Sequence, residues 1–379
     1  MPETDYDHLR ARLASLGRPF APADAAVALR EQGLVITDAL LREAIAELRR
    51  GSVGAGALDG LLAEPGVSDV VVNGPSDVFV DRGAGLERAP LTFADDEEVR
   101  RLAIRLAAAA GRRLDDASPF VDGRLPNGVR LHAVLAPVAE PGTCLSLRVP
   151  ARRSFSLADL VAAGSLPPDG ALLLEALVAR REPFLITGGT GSGKTTLLAA
   201  LLALVPARER IVLVEDAREL VPAHPHCVRL EGRPPNAEGA GAITLTTLVR
   251  QALRMRPDRL VLGEVRGPEV ADLLTALNTG HEGGCATVHA NSIEDVVARV
   301  EALAALGGMT REACHAQVAS ALRVVIHVAR FPDGRRRVER IGVLERAQDG
   351  QVRVVPAATM TQHAVTFTAA GAALRQWLP

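Results

Sequence analysis

Gly188-Gly189-Thr190-Gly191-Ser192-Gly193-Lys194-Thr195-Thr196 stands between an apolar run, Phe184-Leu185-Ile186-Thr187, and a leucine-rich stretch from Leu197 to Val205. The pattern is G-x-x-x-x-G-K-[ST], with a strand expected before it and a helix after it, the context in which such a loop binds phosphate. Glycines let the backbone take positive φ, so that consecutive N–H groups converge on phosphate oxygens. The N-terminus of the following helix adds its own unsatisfied N–H groups and the positive end of its dipole. Lys194 can reach the β- and γ-phosphates, and the Thr195 hydroxyl can ligate Mg²⁺. A Gly-rich turn that merely precedes Lys-Thr would not need the flanking strand and helix. Gly188 to Thr196 are therefore assigned to a nucleoside triphosphate.

Downstream, Ile211-Val212-Leu213-Val214 is wholly apolar, the mark of a buried parallel strand, and ends in Glu215-Asp216-Ala217-Arg218-Glu219. A second such run, Leu260-Val261-Leu262-Gly263, ends in Glu264. Pro268 then sits where a helix start tolerates it, and Gly280 is a stop signal for that helix. In open parallel α/β sheets, ligands lie at the carboxyl ends of the strands. The loop, Glu215, Asp216, Glu219 and Glu264 would share that edge, where a carboxylate can hold Mg²⁺ through water or deprotonate an attacking water. For Glu215 and Asp216 taken singly, structural and chemical roles both stay open. His281 and His289 are eight residues apart across a Gly-rich turn and a short strand. That spacing is no metal motif. A histidine that donates to the γ-phosphate, and so reports its presence, fits a strand beside the nucleotide. His224-Pro225-His226-Cys227 has no second ligand pair and reads as a stiff loop. Arg250, Arg254, Arg256 and Arg259 are either a solvated helix face or part of a subunit boundary.

Upstream, residues 1–54 carry Leu9, Leu13, Leu29, Leu40, Leu41, Ile45 and Leu48 among charged residues and alanines, as amphipathic helices do. Gly51-Ser52-Val53-Gly54-Ala55-Gly56 breaks the pattern. A second domain, 55–150, follows: strand, turn, strand over 69–81, a helix over Asp95–Ala110, and strands at Leu131–Leu135 and Ser146–Val149. Pro126-Asn127-Gly128 makes a turn flanked by Arg124 and Arg130. Those two are either phosphate contacts or an ordinary solvated strand edge. Residues 151–168 read as a linker, and 169–379 as the phosphate-loop domain, closing in a strand pair at Val324–Arg330 and Arg337–Leu344 and an Ala-rich tail.

Composition narrows the class. The chain has 379 residues, enough for two domains, with 48% hydrophobic and 23% charged residues. Its 43 basic and 45 acidic residues leave a net charge of −2, and aromatics are 3%. A nucleic-acid coat is excluded as the main role, since there is little positive field and little to stack bases on. Four cysteines without a CxxC pair point to reduced thiols and no zinc site. The polar, acidic start predicts no signal peptide, and no apolar stretch reaches the ~20 residues of a membrane span.

Three stretches, in this order, resemble one family. Val214-Glu215-Asp216-Ala217-Arg218-Glu219-Leu220 resembles the Asp box of the type II/type IV secretion ATPases. Leu253-Arg254-Met255-Arg256-Pro257-Asp258-Arg259-Leu260-Val261-Leu262-Gly263-Glu264-Val265-Arg266-Gly267 is similar to their atypical Walker B, with a glutamate after glycine. Gly280-His281-Glu282-Gly283 through Thr287-Val288-His289-Ala290-Asn291 is similar to their His box. Val72-Asn73-Gly74-Pro75, the stretch Ser118 to Pro126 and Arg130 resemble the N-terminal domain of the CpaF-like branch, which serves tight-adherence (Flp) pili. The resemblance covers roughly residues 55–345.

The resemblance implies an α/β protein: an N-terminal α/β sheet domain, then a RecA-like P-loop ATPase domain with a mostly parallel sheet. It implies a cytoplasmic homo-hexamer, held peripherally at the inner face of the membrane by an inner-membrane platform protein. ATP hydrolysis with Mg²⁺ would move the first domain against the second, with no direct nucleic-acid partner. By the same resemblance Lys194 and Thr195 bind phosphate and Mg²⁺, Glu264 and Glu219 handle Mg²⁺ and water, and His289 senses the γ-phosphate. Arg124, Arg130 and Arg148 close over the phosphates. Ala217-Arg218 departs from the usual small pair, and Cys285 is unusual in the His box. The alternative is a nucleotide-binding regulatory or scaffold protein of the same apparatus with little turnover.

Overall fold

The computed structural model describes residues 54–378 except 84, 151–153 and 236–238, together with residues 8–9, 12–13, 22–33, 36–37, 40–41 and 44. The chain divides into two compact units, Met1–Pro150 and Ala151–Pro379.

Apolar residues of the first unit fall into two separate clusters. In one, Ala25, Ala28 and Leu29 of α1 (Pro22–Glu31) pack with Leu9, Leu13 and Ala44. Ile45 and Leu48 lie outside the described residues. The other cluster belongs to α2 (Asp59–Ala63), β1 (Asp69–Asn73), β2 (Val78–Asp81), β3 (Leu86–Arg88), α3 (Asp96–Ala109), β4 (Phe120–Arg124), β5 (Arg130–Val134) and β6 (Cys144–Arg148). The strands form one antiparallel sheet in the order β3-β2-β1-β6-β5-β4. Alternate residues bury one face: Val70, Val72, Leu131, Ala133, Leu145 and Leu147 cluster with Val99, Leu102 and Leu106 of α3. The start of α3 is fixed by reciprocal bonds, since the Asp95 carboxylate accepts from the Glu98 N–H and the Glu98 carboxylate from the Ala94 N–H, both at 2.8 Å.

The second unit runs α4 (Leu157–Ala162), α5 (Pro168–Ala179), β7 (Phe184–Thr187), α6 (Lys194–Leu202), β8 (Ile211–Glu215), β9 (Cys227–Glu231) and α7 (Leu245–Ala252). It continues through β10 (Arg259–Val265), α8 (Glu269–Leu277), β11 (Cys285–Val288), α9 (Val296–Leu306) and α10 (Arg311–Ala321). β12 (Val324–Arg330), β13 (Arg336–Arg346), β14 (Val352–Met360), β15 (Val365–Phe367) and α11 (Ala372–Arg375) complete it. Its nine strands are ordered β15-β14-β13-β12-β7-β11-β10-β8-β9. Pairing is parallel from β12 through β9 and antiparallel from β12 to β15.

Both faces of the parallel part are covered, which explains its unbroken apolar runs. Phe184, Ile186, Ile211 and Leu213 point to the layer of α4, α5 and α6. Leu185, Val212 and Val214 point to the layer of α7, α8, α9 and α10. Because β11 is inserted between β7 and β10, the strands that end in the Gly-rich loop, His289 and Glu264 are neighbours. Among the described residues no helix is long and apolar enough to cross a membrane.

Two expectations are corrected. The stretch read as a linker holds α4, capped by a Ser156–Asp159 capping box, and buries Leu157, Leu160 and Leu166 in the core of the second unit. Its small and polar residues hid three well-spaced leucines. The Ala-rich tail holds β14 and β15, which widen the sheet; Val354, Ala357, Ala358 and Met360 are buried. Their pairing is with distant residues of β13, so no local signal marked them.

Arg259 is neither of the alternatives weighed for its arginine run. It is 2% exposed, and its Nε donates to the Glu209 carboxylate at 2.8 Å, with further bonds to the carbonyls of Val178 (3.1 Å) and Gly283 (3.4 Å). Arg181 donates to the same carboxylate at 2.7 Å. Burial raises the pKa of Glu209, but the two guanidinium groups outweigh it and hold the group below its usual value. Removing one partner of a buried pair strands the other charge, at about 3 kcal/mol or more. Glu209→Ala should therefore lower the unfolding free energy of the second unit by that order, read as a lower urea midpoint at unchanged slope. The carboxylate's contribution is complete above the ordinary glutamate pKa and is lost as pH falls through its depressed value, so the variant should also show a flatter acid limb. A midpoint equal to wild type at neutral pH would refute this.

Candidate nucleotide site

The Gly-rich loop leaves β7 at Gly188. A Cβ there would lie 2.1 Å from the Val328 carbonyl oxygen, so only glycine fits beside β12. Gly191 (φ 69°) and Gly193 (φ 99°) take left-handed conformations that turn the chain into α6. The buried Ser192 hydroxyl has no hydrogen-bond partner. A polar group so placed costs about 1–3 kcal/mol until it finds one. Thr190 and Thr195 flank this turn, and Thr195 and Thr196 sit in the first turn of α6.

Lys194 is 7% exposed, and its Nζ donates to the carbonyls of Gly188 at 3.0 Å and Gly189 at 2.9 Å. It also stands 3.4 Å from Nδ1 of His289. Burial pushes the ammonium pKa down; the Glu264 and Glu219 carboxylates act against that, and Arg266 adds to it. His289 continues the line, with its Nε2 bonded to a carboxylate oxygen of Glu264. Burial first, then Lys194, depresses the imidazole pKa. The pattern assigns a neutral ring, Nδ1 accepting from Lys194 and Nε2–H donating to Glu264. The other Glu264 oxygen accepts from Arg266 Nε at 2.6 Å, and Arg266 Nη1 reaches Asp216 at 2.7 Å.

Glu215 and Asp216 separate here. The Glu215 carboxylate is buried and accepts from the N–H groups of Glu219 (2.9 Å) and Leu220 (2.8 Å). It shapes the turn that carries Glu219. Burial raises its pKa against those bonds and Arg229. His281 lies at the opposite end of β11 from His289, its Nδ1 3.2 Å from the Ala276 carbonyl oxygen. Arg250 pairs with Asp272 at 2.8 Å.

A cleft of about 430 Å³ opens beside the loop, walled by Gly188, Gly189, His289, Ala290, Asn291, Asp295, Ala298, Arg299 and Ala302. Arg299 also lowers the pKa of His289. Arg266 stands in the Walker B stretch without an assigned role, and Arg299 was not singled out from the sequence. Arg266 follows Glu264 by two residues, and its partners are known only once β8 and β10 are paired. Arg299 lies in an Ala-rich helix with no motif.

In the first unit, Arg124, Arg130 and Arg148 occupy directly paired positions on β4, β5 and β6, and Asp69 of β1 continues the row. Like charges so placed repel, and an anion on that face would relieve them. Arg130 and Arg148 share a recess of about 250 Å³ with Asp69, Val71, Asp122, His132, Ser146 and Leu147.

Among the described residues no cluster of three or more His, Cys, Asp or Glu could hold a metal ion alone. A Mg²⁺ ion here would need oxygens of a bound phosphate to complete its shell. The orphaned Ser192 hydroxyl, the lysine folded onto two carbonyls and the α6 N-terminus fit a polyphosphate.

A phosphate loop opening a helix at the carboxyl edge of a largely parallel sheet, beside a histidine strand and a glutamate strand, defines a RecA-like nucleotide-binding protein. The chain belongs to the type II/IV secretion system protein family, whose profile matches residues 52–371. A Mycobacterium tuberculosis (H37Rv) protein with a provisional conjugal-transfer name is 58% identical over 308 residues, covering 80% of this chain and 87% of that one. The type IV secretion system protein PtlH of Bordetella pertussis (Tohama I) is 35% identical over 267 residues, 64% of this chain and 78% of its own. The X-ray structure of the Legionella pneumophila ATPase DotB aligns with a TM-score of 0.53 at 19% identity, over 77% of this chain and 80% of that one. The DotB likeness speaks to the fold alone.

In NMR titrations of the imidazoles, His289 should ionise below the ordinary histidine pKa, about 6.5. Lys194→Met removes a depressing charge and should raise that pKa. An unmoved or lower value would overturn the assigned tautomer and contacts.

Proposed function

We propose that this chain is a Mg²⁺-dependent ATPase, the motor of a pilus-assembly or secretion machine. The observation that carries the reading is the continuous line from the loop carbonyls through Lys194 and His289 to Glu264. Bound Mg²⁺–ATP supplies the phosphoanhydride bond. The loop N–H groups hold phosphate oxygens, and Lys194 exchanges the Gly188 and Gly189 carbonyls for them. Thr195 offers its hydroxyl to the ion. Glu264 is the group we assign to orienting and deprotonating water, with Glu219 as its partner in holding the ion's water shell. His289 touches both Lys194 and Glu264, so a phosphate that draws the lysine away changes what the glutamate feels. That is a physical basis for sensing the γ-phosphate.

The proposal extends to Arg124, Arg130 and Arg148 as phosphate contacts, supported by their alignment across three strands. It extends also to a homo-hexameric ring, peripheral at the inner face of the membrane through an inner-membrane platform protein, with turnover coupled to motion of the first unit. Support comes from the Asp, Walker B and His boxes and from the type IV secretion name of PtlH. Within the family, we place the chain in the CpaF-like, tight-adherence branch on Val72-Asn73-Gly74-Pro75 and the Ser118 to Pro126 stretch. A regulatory protein with little turnover would not need Glu219, Glu264 and His289 acting on one lysine, and that network favours the motor.

Lys194→Ala should abolish tight ATP binding in a nucleotide titration; wild-type affinity would remove the assignment of the loop. Glu264→Gln should keep ATP bound while steady-state hydrolysis falls by about 10²-fold or more. Glu219→Gln should lose turnover in the same direction. Turnover within a few-fold of wild type in both glutamine variants would end this reading of the active site.

A further inference from the structure

The hairpin of β12 and β13 meets the phosphate loop at two places, and no sequence motif marks either. At the start of the loop, Gly188 is pressed against the Val328 carbonyl. At its middle, Nε of Arg336, the first residue of β13, donates to the Gly191 carbonyl at 2.8 Å. The Arg336 Cδ would lie 3.4 Å from a Cβ on Gly193, so the side chain follows the loop's outer surface.

The hairpin is braced to deliver that arginine. The Phe331 N–H donates to the Arg335 carbonyl at 2.8 Å, and the Asp333 carboxylate accepts from the Arg335 N–H at 3.0 Å. Arg337 pairs with Asp333 and lies over the Phe331 ring, 4.7 Å from its centroid. Successive side chains of a strand alternate in direction. Of three consecutive arginines, Arg337 thus locks the turn, Arg335 and Arg336 are both exposed, and Arg336 bonds to the loop.

A trans peptide is planar, with its C=O and N–H pointing in opposite directions. The Gly191 carbonyl and the Ser192 N–H belong to one peptide, so holding the first fixes the second. Gly191 has no side chain to resist rotation, and its Ser192 N–H has only a 3.4 Å bond to the Gly189 carbonyl to steady it. We infer that Arg336 is a positioning residue of the nucleotide site, which holds the Gly191–Ser192 peptide in the orientation that a nucleotide's polyphosphate needs. The inference rests on the phosphate reading of this loop.

The full chain should be compared as Arg336→Ala, Arg336→Lys and Arg335→Ala, with thermal melting to check folding and Lys194→Ala alongside. Arg336→Ala loses a charge-assisted bond, so its Kd for ATP and for ADP should rise about tenfold. The KM for ATP should rise in parallel, and kcat at saturation should stay within about twofold, the split expected when binding geometry is lost. Arg336→Lys keeps a cationic donor and should recover most of the loss. Arg335→Ala makes the same change in net charge and should bind within about twofold of wild type. Wild-type affinity in Arg336→Ala, an equal loss in Arg335→Ala, or no recovery in Arg336→Lys would overturn the inference. If Lys194→Ala loses binding while Arg336→Ala keeps it, the loop assignment stands and only the role of Arg336 falls. Wild-type binding in Lys194→Ala would overturn both.

Discussion

A buried ammonium must be surrounded by acceptors, and the site is arranged around that need. Lys194 sits at the first turn of a helix, whose positive dipole end gives it no help. It is held instead by two carbonyls of its own loop and by the imidazole of the neighbouring strand. The carbonyl arrangement requires glycines, since Gly188 lies against backbone and Gly191 and Gly193 take positive φ. The imidazole can accept only while neutral, and its depressed pKa follows from the same burial that troubles the lysine. Phosphate, with several anionic oxygens, is a better set of acceptors than any of these. The loop thus favours an anionic ligand, because its lysine is a buried charge held only by neutral acceptors.

Topology supplies the rest. If β11 lay elsewhere in the sheet, His289 would not come between the loop and Glu264. Strand insertion is a fold-level choice with a chemical result: it places a proton-bearing relay between a cation and an anion. The Glu215 carboxylate, spent on two backbone N–H groups, sets the turn from which Glu219 acts. The acidic residues of this edge therefore divide into Glu215, which builds a turn, and Glu264 and Asp216, which are joined to Arg266.

What was legible in the sequence was local. The loop, its flanking strand and helix, the apolar runs of β8 and β10 and the turn before Arg130 are each written within a dozen residues. Burial on both faces made the parallel strands conspicuous, and the helix starts carried their caps. What escaped depends on partners far along the chain. Glu215 could be sorted from Glu219 only after the turn was built. Arg266, Arg299 and Arg336 are arginines in a chain with many, and only pairing shows which ones reach the loop. β14 and β15 were missed because their alternation is weak and their register belongs to β13. The α4 segment looked like a connector because its apolar positions are few, although Ser156 and Asp159 stood three apart as a capping box does.

The antiparallel extension at the edge of the sheet has a further effect. β14 is nine residues long, and three residues of β15 cover part of its outer side, with Gly371 close against the Ala357 carbonyl. An uncovered strand of that length offers unpaired N–H and C=O groups to any other extended chain. Residues 365–367 thus occupy part of an edge that would otherwise present unpaired backbone groups. Without them the N–H and C=O groups of Ala358, Thr359 and Met360 that now face β15 would be open to pairing with another extended chain.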